Sequence, residues 1–168
     1  AISQQTKNDL INLLDIEPQK IKVVYQSCNS VFQSSVNNKY KDLILSNHDV
    51  KNEYLLYVGS IEKRKNLLTL LRTMKRLKNK NLIVIGNGGA YKQTCLKYIK
   101  KNKLSNRVKI INGLTLKEMA VFYQCAEIMV YPSIFEGFGL PIIEALFSRT
   151  PVITSKGGCF HEVGGKNC

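Results

Sequence analysis

What the sequence lacks narrows the field first. No apolar run approaches the roughly 20 residues that cross a bilayer as a helix; the apolar runs are short tracts such as LIVI at 82–85. No cysteine pair has C-x2-C spacing, because Cys28, Cys95, Cys125, Cys159 and Cys168 are scattered. Of the two histidines only His161 lies near a cysteine, Cys159. That excludes the spaced ligand sets of structural metal sites, and no metal is expected. Scattered thiols read as small buried hydrophobes in a reducing cytoplasm. There is no G-x-G-x-x-G fingerprint and no phosphate loop ending in Lys-Ser/Thr. The start, AISQQTKNDL, has neither an initiator Met nor a basic-then-apolar signal pattern, and suggests a fragment of a longer protein.

Acid is scarce where base is dense. Residues 62–109 hold 15 of the 25 Lys and Arg and one acid, Glu62. The formal net charge of +13 is therefore concentrated in one central block. Such a block favours an anionic partner: phosphates, a membrane surface or nucleic acid. The plainer alternative is a solvated lysine-rich helix face.

What is present is a regular alternation from residue 53 onward. Strands are expected at 53–59, 81–88, 107–113, 127–133 and 150–155. Helices are expected at 64–78, 91–102, 115–126 and from about Leu140 through Phe147. Leu67, Leu70, Leu71, Met74 and Leu77 follow the 3–4 spacing of one apolar face. Thr115 and Glu118 have capping-box spacing. Strands and helices joined by short links predict an α/β, Rossmann-like parallel sheet with helices on both faces. At 168 residues one full core is available. Residues 1–52 read differently: a helix in TKNDLINLLDI, a strand in KIKVVYQS (20–27), then an Asn/Ser-rich linker with a short helix near 38–45.

In such sheets ligands sit at the carboxyl ends of the strands. Those ends are Gly59-Ser60, Gly86-Asn87-Gly88, Gly113-Leu114, Pro132-Ser133 and Ser155. The most informative stretch is FEGFGLPIIE (135–144). Gly137 and Gly139 allow a tight bend, and Pro141 suits a first helical turn. The N–H groups of Phe138, Gly139 and Leu140 would then form an anion site at the positive end of the helix dipole. Glu144, expected in the first turn or so, can accept from a pair of hydroxyls, and Glu136 can do so on the other side of the anion. Lys63, Arg64 and Lys65 at the same sheet edge supply cations for a diphosphate leaving group. Gly86-Asn87-Gly88-Gly89 is a turn suited to making room for a base or sugar. Tyr91, Tyr98 and Tyr123 read as packing, and His161-Glu162 resembles a dyad without a nucleophile.

These motifs together resemble the donor-binding half of retaining glycosyltransferases of family 4, with the two-domain GT-B fold. The segments that carry the resemblance are YVGSIEKRKNLL, IVIGNGG, VKIINGL, FYQCAEIMVYPSIFEGFGLPIIEAL and TPVITSKGGCFHEVGG, in family order over roughly residues 53–165. Glu136 and Glu144 match the E-x7-E signature. The resemblance implies the C-terminal half of a GT-B fold: residues 1–52 as the end of an acceptor domain and the interdomain linker, and residues 53–168 as a nucleotide-sugar donor domain truncated at its end. It implies a cytoplasmic hexosyltransferase using a GDP- or UDP-hexose and a glycan or lipid-linked acceptor, with no metal. A peripheral place at the inner face of the cytoplasmic membrane, through the 62–109 block, is compatible with it. Catalytic roles fall to Glu136 (donor hexose), Lys65 and Arg64 (diphosphate). Donor-binding roles fall to Gly59, Ser60, Gly86, Gly113, Leu114, Ser133, Gly137, Phe138, Gly139, Leu140 and Glu144, with Glu144 on the ribose and Gly113-Leu114 facing the base. One departure stands out: many members have Arg directly after the first-strand Gly, where this chain has Ser60. The rivals are a GT-B nucleotide-sugar epimerase, for which no acid/base set can be placed, and a basic binder of nucleic acid or membrane without catalysis.

Overall fold

The computed structural model describes residues 1–51 and 53–165; Cys168 lies outside them. From residue 54 strands and helices alternate: β1 (Tyr54–Val58), α3 (Leu67–Met74), β2 (Asn81–Ile85), α4 (Ala90–Lys101), β3 (Val108–Ile111), α5 (Leu116–Cys125), β4 (Ile128–Tyr131), α6 (Leu140–Phe147), β5 (Val152–Thr154) and α7 (Phe160–Gly164). Before them come α1 (Gln4–Leu14) and α2 (Asn38–Asn47). The five strands form one parallel sheet in the order β3-β2-β1-β4-β5. The chain runs outward from β1 to β3, then returns past β1 to β4. The strand order therefore reverses between β1 and β4, which is where such sheets open a crevice at their carboxyl edge.

The period of two along each strand builds two cores. Tyr54, Leu56 and Val58 point with Ile83, Ile85, Met129 and Tyr131 into one, closed by α5, α6 and α7. Leu55 and Tyr57 point with Leu82 and Val84 into the other, closed by α3 and α4. All five residues of β1 are buried, as a central parallel strand requires. Residues 28–51, read from composition as a linker, contribute Phe32, Ile44, Leu45 and Val50 to the first core. No described helix is long and apolar enough to cross a membrane.

Two expectations are corrected. No strand forms at 20–27: Lys20 and Ile21 close a 3₁₀ turn onto Glu17 and Pro18, the segment's backbone meets the chain start around Ala1, where Val24 N–H donates to the Ala1 carbonyl at 2.9 Å and the Ala1 ammonium to the Lys22 carbonyl at 2.7 Å, and Val24 and Tyr25 are exposed. A strand needs a ladder, and no neighbouring strand lies beside it among the described residues. The single helix expected over 64–78 is split. Lys63–Lys65 form a 3₁₀ turn, Asn66 adopts left-handed backbone (φ 57°), and α3 runs only from Leu67 to Met74. Asn66 donates to the Pro132 carbonyl at 3.1 Å and accepts from Thr69 Oγ1 at 2.7 Å, which fixes the break. At the far end the Arg107 guanidinium takes the carbonyls of Met74 (3.1 Å) and Leu77 (2.6 Å), satisfying helix-end acceptors and turning the chain. Leu77, expected on the apolar face, is exposed as a result. The Thr115/Glu118 capping box is present at α5 as expected.

Candidate functional site

The loops after β1 and β4 meet over the crevice, and each supplies one half of a charged cluster. Gly59 leaves β1 with φ 147°, and a Cβ there would lie 3.8 Å from Lys65 Cδ and Cε. At that distance a Cβ would only touch the Lys65 side chain, so it is the positive φ that calls for glycine here. The Lys65 ammonium lies 2.6 Å from Glu136 Oε1 and donates to the Tyr131 hydroxyl at 2.8 Å. Its approach to Oε1 is a short ion pair without hydrogen-bond alignment. Arg64 reaches the other carboxylate oxygen, Oε2, at 3.0 Å, and Glu62 at 3.3 Å. Lys65 and Glu136 are almost fully buried, while Arg64 is half exposed. Ser133 is fully buried beside this carboxylate, and its Oγ makes no well-formed hydrogen bond.

Burial alone would raise the Glu136 pKa; the Lys65 ammonium and the Ser133 and Tyr131 hydroxyls outweigh it and hold the carboxyl below its ordinary range. Burial pushes the Tyr131 hydroxyl far up, so it stays protonated. At neutral pH the cluster is therefore one carboxylate facing two cations.

The chain then bends into α6. Gly139 is left-handed (φ 103°), and a Cβ there would come within 3.2 Å of Ile142 Cδ1. Leu140 and Pro141 open the helix. The N–H groups of Phe138, Gly139 and Leu140 donate to no acceptor among the described residues. Three free donors at a helix N-terminus form a ready anion cradle. Phe138 is buried and stacks on Tyr25, with centroids 6.2 Å apart.

Glu144 is the fifth residue of α6, just past its first turn. It accepts from the Tyr123 hydroxyl at 2.7 Å. Burial raises its pKa, and the Tyr123 hydrogen bond offsets only part of that. Tyr123, read from sequence as packing, is thus also the partner that holds Glu144. Gly113 (φ 75°) and half-buried Leu114 lie past β3, two strands from β1, hence about 10 Å away along the sheet edge. Gly86 and Gly88 have a different reason for being glycine than room for a ligand. A Cβ at Gly86 would lie 2.0 Å from the Gly59 carbonyl oxygen, and one at Gly88 would lie 2.3 Å from that of Ile61. The β1 and β2 loops touch there, tied by Gly59 N–H to Ile85 (3.0 Å) and Ile61 N–H to Asn87 (2.8 Å). Ser60 is half-buried, and its carbonyl accepts from the Tyr57 hydroxyl at 3.1 Å.

The structure thus brings Arg64, Lys65, Ser133 and Glu136 together, with the Gly137–Leu140 bend adjoining. The family model for glycosyl transferases of group 1 matches residues 41–167. The chain belongs to the glycosyl transferases of group 1. It is 31% identical over 164 residues to the O-antigen chain mannosyltransferase RfbU of Salmonella typhimurium, covering 97% of this chain and 43% of that one. It is 28% identical over 151 residues to a Campylobacter jejuni 4-alpha-N-acetylgalactosaminyltransferase acting on a diphospho-undecaprenol sugar, covering 90% and 39%. Among solved structures it superposes on Anabaena HepE in complex with UDP and glucose with TM-score 0.86 at 19% identity, covering 96% of this chain and 45% of that one. The fold matches GT-B glycosyltransferase structures. The chain spans less than half the length of each of these relatives.

As a group 1 transferase the chain also carries partners that sequence reasoning passed over. Tyr131 stands beside Glu136, next to the expected Ser133, and Cys159, just before α7, reaches the loop backbone. The alternating pattern of β4 signals Tyr131 as a core residue, but nothing in the pattern pairs it with Lys65, 66 positions earlier. Glu162 accepts from the Gln4 N–H at 2.7 Å and serves α1; His161 is exposed.

Proposed function

We propose that this chain is the donor-binding part of a retaining glycosyltransferase that moves a hexose from a nucleoside-diphosphate sugar to a glycan or lipid-linked acceptor. The observation that carries the reading is the Lys65–Glu136–Arg64 cluster beside three free amides at the β1/β4 crossover. Residues 1–52 are then the end of an acceptor domain and its linker, and residues 53–168 the donor domain. The O-antigen chain and diphospho-undecaprenol activities of the relatives support a glycan or lipid-linked acceptor, and HepE's UDP and glucose support a nucleotide-sugar donor.

In this reading the distal phosphate sits on the N–H groups of Phe138, Gly139 and Leu140. Lys65 and Arg64 neutralise the charge that grows on the diphosphate as the glycosidic bond breaks, which lowers the barrier without a metal. Arg64 takes the place left by Ser60, since it already reaches the carboxylate that Lys65 holds. Glu136 accepts from hexose hydroxyls and Glu144 from the ribose. An acceptor hydroxyl attacks the anomeric carbon on the face the diphosphate leaves, and a departing phosphate oxygen takes its proton, so configuration is retained. The acceptor wall comes from outside this chain, so the chain alone binds nucleotide and turns over little or no sugar.

Calorimetry with UDP, GDP and a 20-mer oligonucleotide tests the reading. Saturable binding of UDP or GDP, lost in Glu144→Ala, supports it. Oligonucleotide binding without nucleotide binding sinks it in favour of a basic binding module. A second reading concerns the basic block. Arg72, Lys75, Arg76, Lys97, Lys100 and Lys101 are exposed on neighbouring α3 and α4 and their edges, and none forms an ion pair among the described residues. Unpaired charge of one sign on one layer favours contact with an anionic membrane.

A further inference from the structure

Three successive carbonyls of the loop before α6 face donors from elsewhere, the outer two sharing one thiol. Cys159 Sγ lies 3.3 Å from the Glu136 carbonyl oxygen and 3.0 Å from that of Phe138. Burial pushes this thiol up to about 11, so at neutral pH it keeps the proton it donates. The carbonyl between them, on Gly137, accepts from Ser3 Oγ at 2.6 Å and Thr6 Oγ1 at 3.1 Å. Ser3 is fully buried although it is only the N-cap of α1, a helix that buries none of its own residues. The helix is seated by its tip. Gln4 N–H bonds Glu162 at 2.7 Å, and a Cβ at Gly137 would meet Ile2 Cδ1 at 3.0 Å.

A trans peptide is planar, so fixing a carbonyl fixes the following N–H on the opposite side. The bonds to Gly137 O therefore orient the Phe138 N–H, and the single thiol proton, nearer the Phe138 carbonyl, chiefly orients that of Gly139. Glycine itself restrains these planes little, so the orientation has to come from outside the loop.

We propose that Ser3 and Thr6 are positioning residues for the donor's diphosphate. From the tip of α1 they lock the Gly137–Phe138 peptide plane so that the Phe138 N–H faces the distal phosphate. The proposal rests on the reading of the 137–140 bend as the phosphate cradle. It makes phosphate affinity depend on whether the α1 tip is docked, and so ties the N-terminal segment to the donor loop.

The test separates donation from capping. Thr6→Val keeps size and leaves Ser3 Oγ to cap α1. Ser3→Asp keeps a capping acceptor and cannot donate to a carbonyl. Calorimetry on the full 168-residue chain compares UDP and GDP with UMP and GMP, which lack the distal phosphate. Expected are diphosphate affinities weakened about five- to tenfold in both variants, unchanged monophosphate affinities, and Thr6→Ser close to wild type. Unchanged diphosphate affinity overturns the proposal. So does an equal loss for mono- and diphosphates, which marks mere support of the fold. If Ser3→Asp does not fold, Thr6→Val decides alone. A wild-type chain that binds none of these nucleotides defeats the proposed function instead. Amide exchange at 137–140 then still decides the latch: faster exchange in Thr6→Val upholds it, and unchanged exchange overturns it.

Discussion

Replacing Glu136 by Gln removes the anion from a pair whose members are 2.6 Å apart, with side chains 7% and 10% exposed. Lys65 would be left as a buried ammonium, and Arg64, of the same sign, offers it nothing. Breaking a buried pair from one side costs about 3–5 kcal/mol. Here the Tyr131 hydroxyl still accepts from Lys65 at 2.8 Å and its ring centroid lies 5.1 Å away, which offsets part of the loss. The expected cost is about 2–3 kcal/mol, or a fall in Tm of about 5–10 °C for a chain of this size. Lys65→Met leaves Glu136 still paired with Arg64 and costs less, about 1–2 kcal/mol. The double variant removes both charges and loses about as much as one single variant, so the cycle reports a coupling of about 2 kcal/mol. Urea unfolding of the four proteins at pH 7 measures it. The pH sense follows from the lowered Glu136 pKa. Its stabilisation is complete above the ordinary carboxylate value and is lost as pH falls through the depressed one, so the coupling shrinks in acid. A coupling under about 0.5 kcal/mol at pH 7, or a Glu136→Gln variant as stable as wild type, refutes this account of the cluster.

Glu144→Gln should abolish the thermal shift given by UDP or GDP yet leave the free protein at neutral pH as stable or up to about 1 kcal/mol more stable. Its folded pKa is raised, so the ionised carboxylate weakens the fold as pH rises through that value, and the amide removes this penalty; a destabilised variant would contradict it. Gly86→Ala, with a Cβ 2.0 Å from the Gly59 oxygen, should cost more than about 3 kcal/mol or prevent folding, whereas Gly89→Ala, with nothing within 4 Å, should change stability by less than about 0.5 kcal/mol. Thr115→Ala breaks the capping box of α5 and should cost about 1 kcal/mol in thermal unfolding. Reversing Lys97, Lys100 and Lys101 to Glu should abolish sedimentation with phosphatidylserine vesicles at low salt, at about 1 kcal/mol per charge, and leave UDP or GDP affinity unchanged.

The alternation from β1 to β5 was legible because each element announces itself locally. Leu67 to Met74 repeats at helical spacing, and LIVI reads as buried strand. The interruptions were not, because their causes are remote. Asn66 breaks the helix by bonding Pro132, and Arg107 ends it from beyond the next strand and helix. The segment 20–27 has strand-like residues, but a strand is a pairing, and pairing is not a property of one segment. The glycines divide in the same way. Gly139 was readable from the bend before Pro141, whereas Gly86 is explained by the Gly59 carbonyl, which only the register of β1 against β2 puts there.

The charged cluster shows most plainly why a site can be guessed from its letters and still not be seen. Glu136 and Lys65 each stood out as candidates, yet their contact depends on β4 returning to pair with β1 rather than extending the sheet beyond β3. That return places a carboxylate between two cations in the crevice. Under the proposed function an arriving diphosphate must compete with Glu136 for Lys65 and Arg64, while the hexose offers Glu136 hydroxyls in exchange. A nucleotide without the sugar draws the cations away and gives the carboxylate nothing. The complete donor should therefore gain more over the bare diphosphate in the wild type than in Glu136→Ala, where no anion holds the cations beforehand. Equal gains in the two proteins would mean that Glu136 serves the fold and not the sugar.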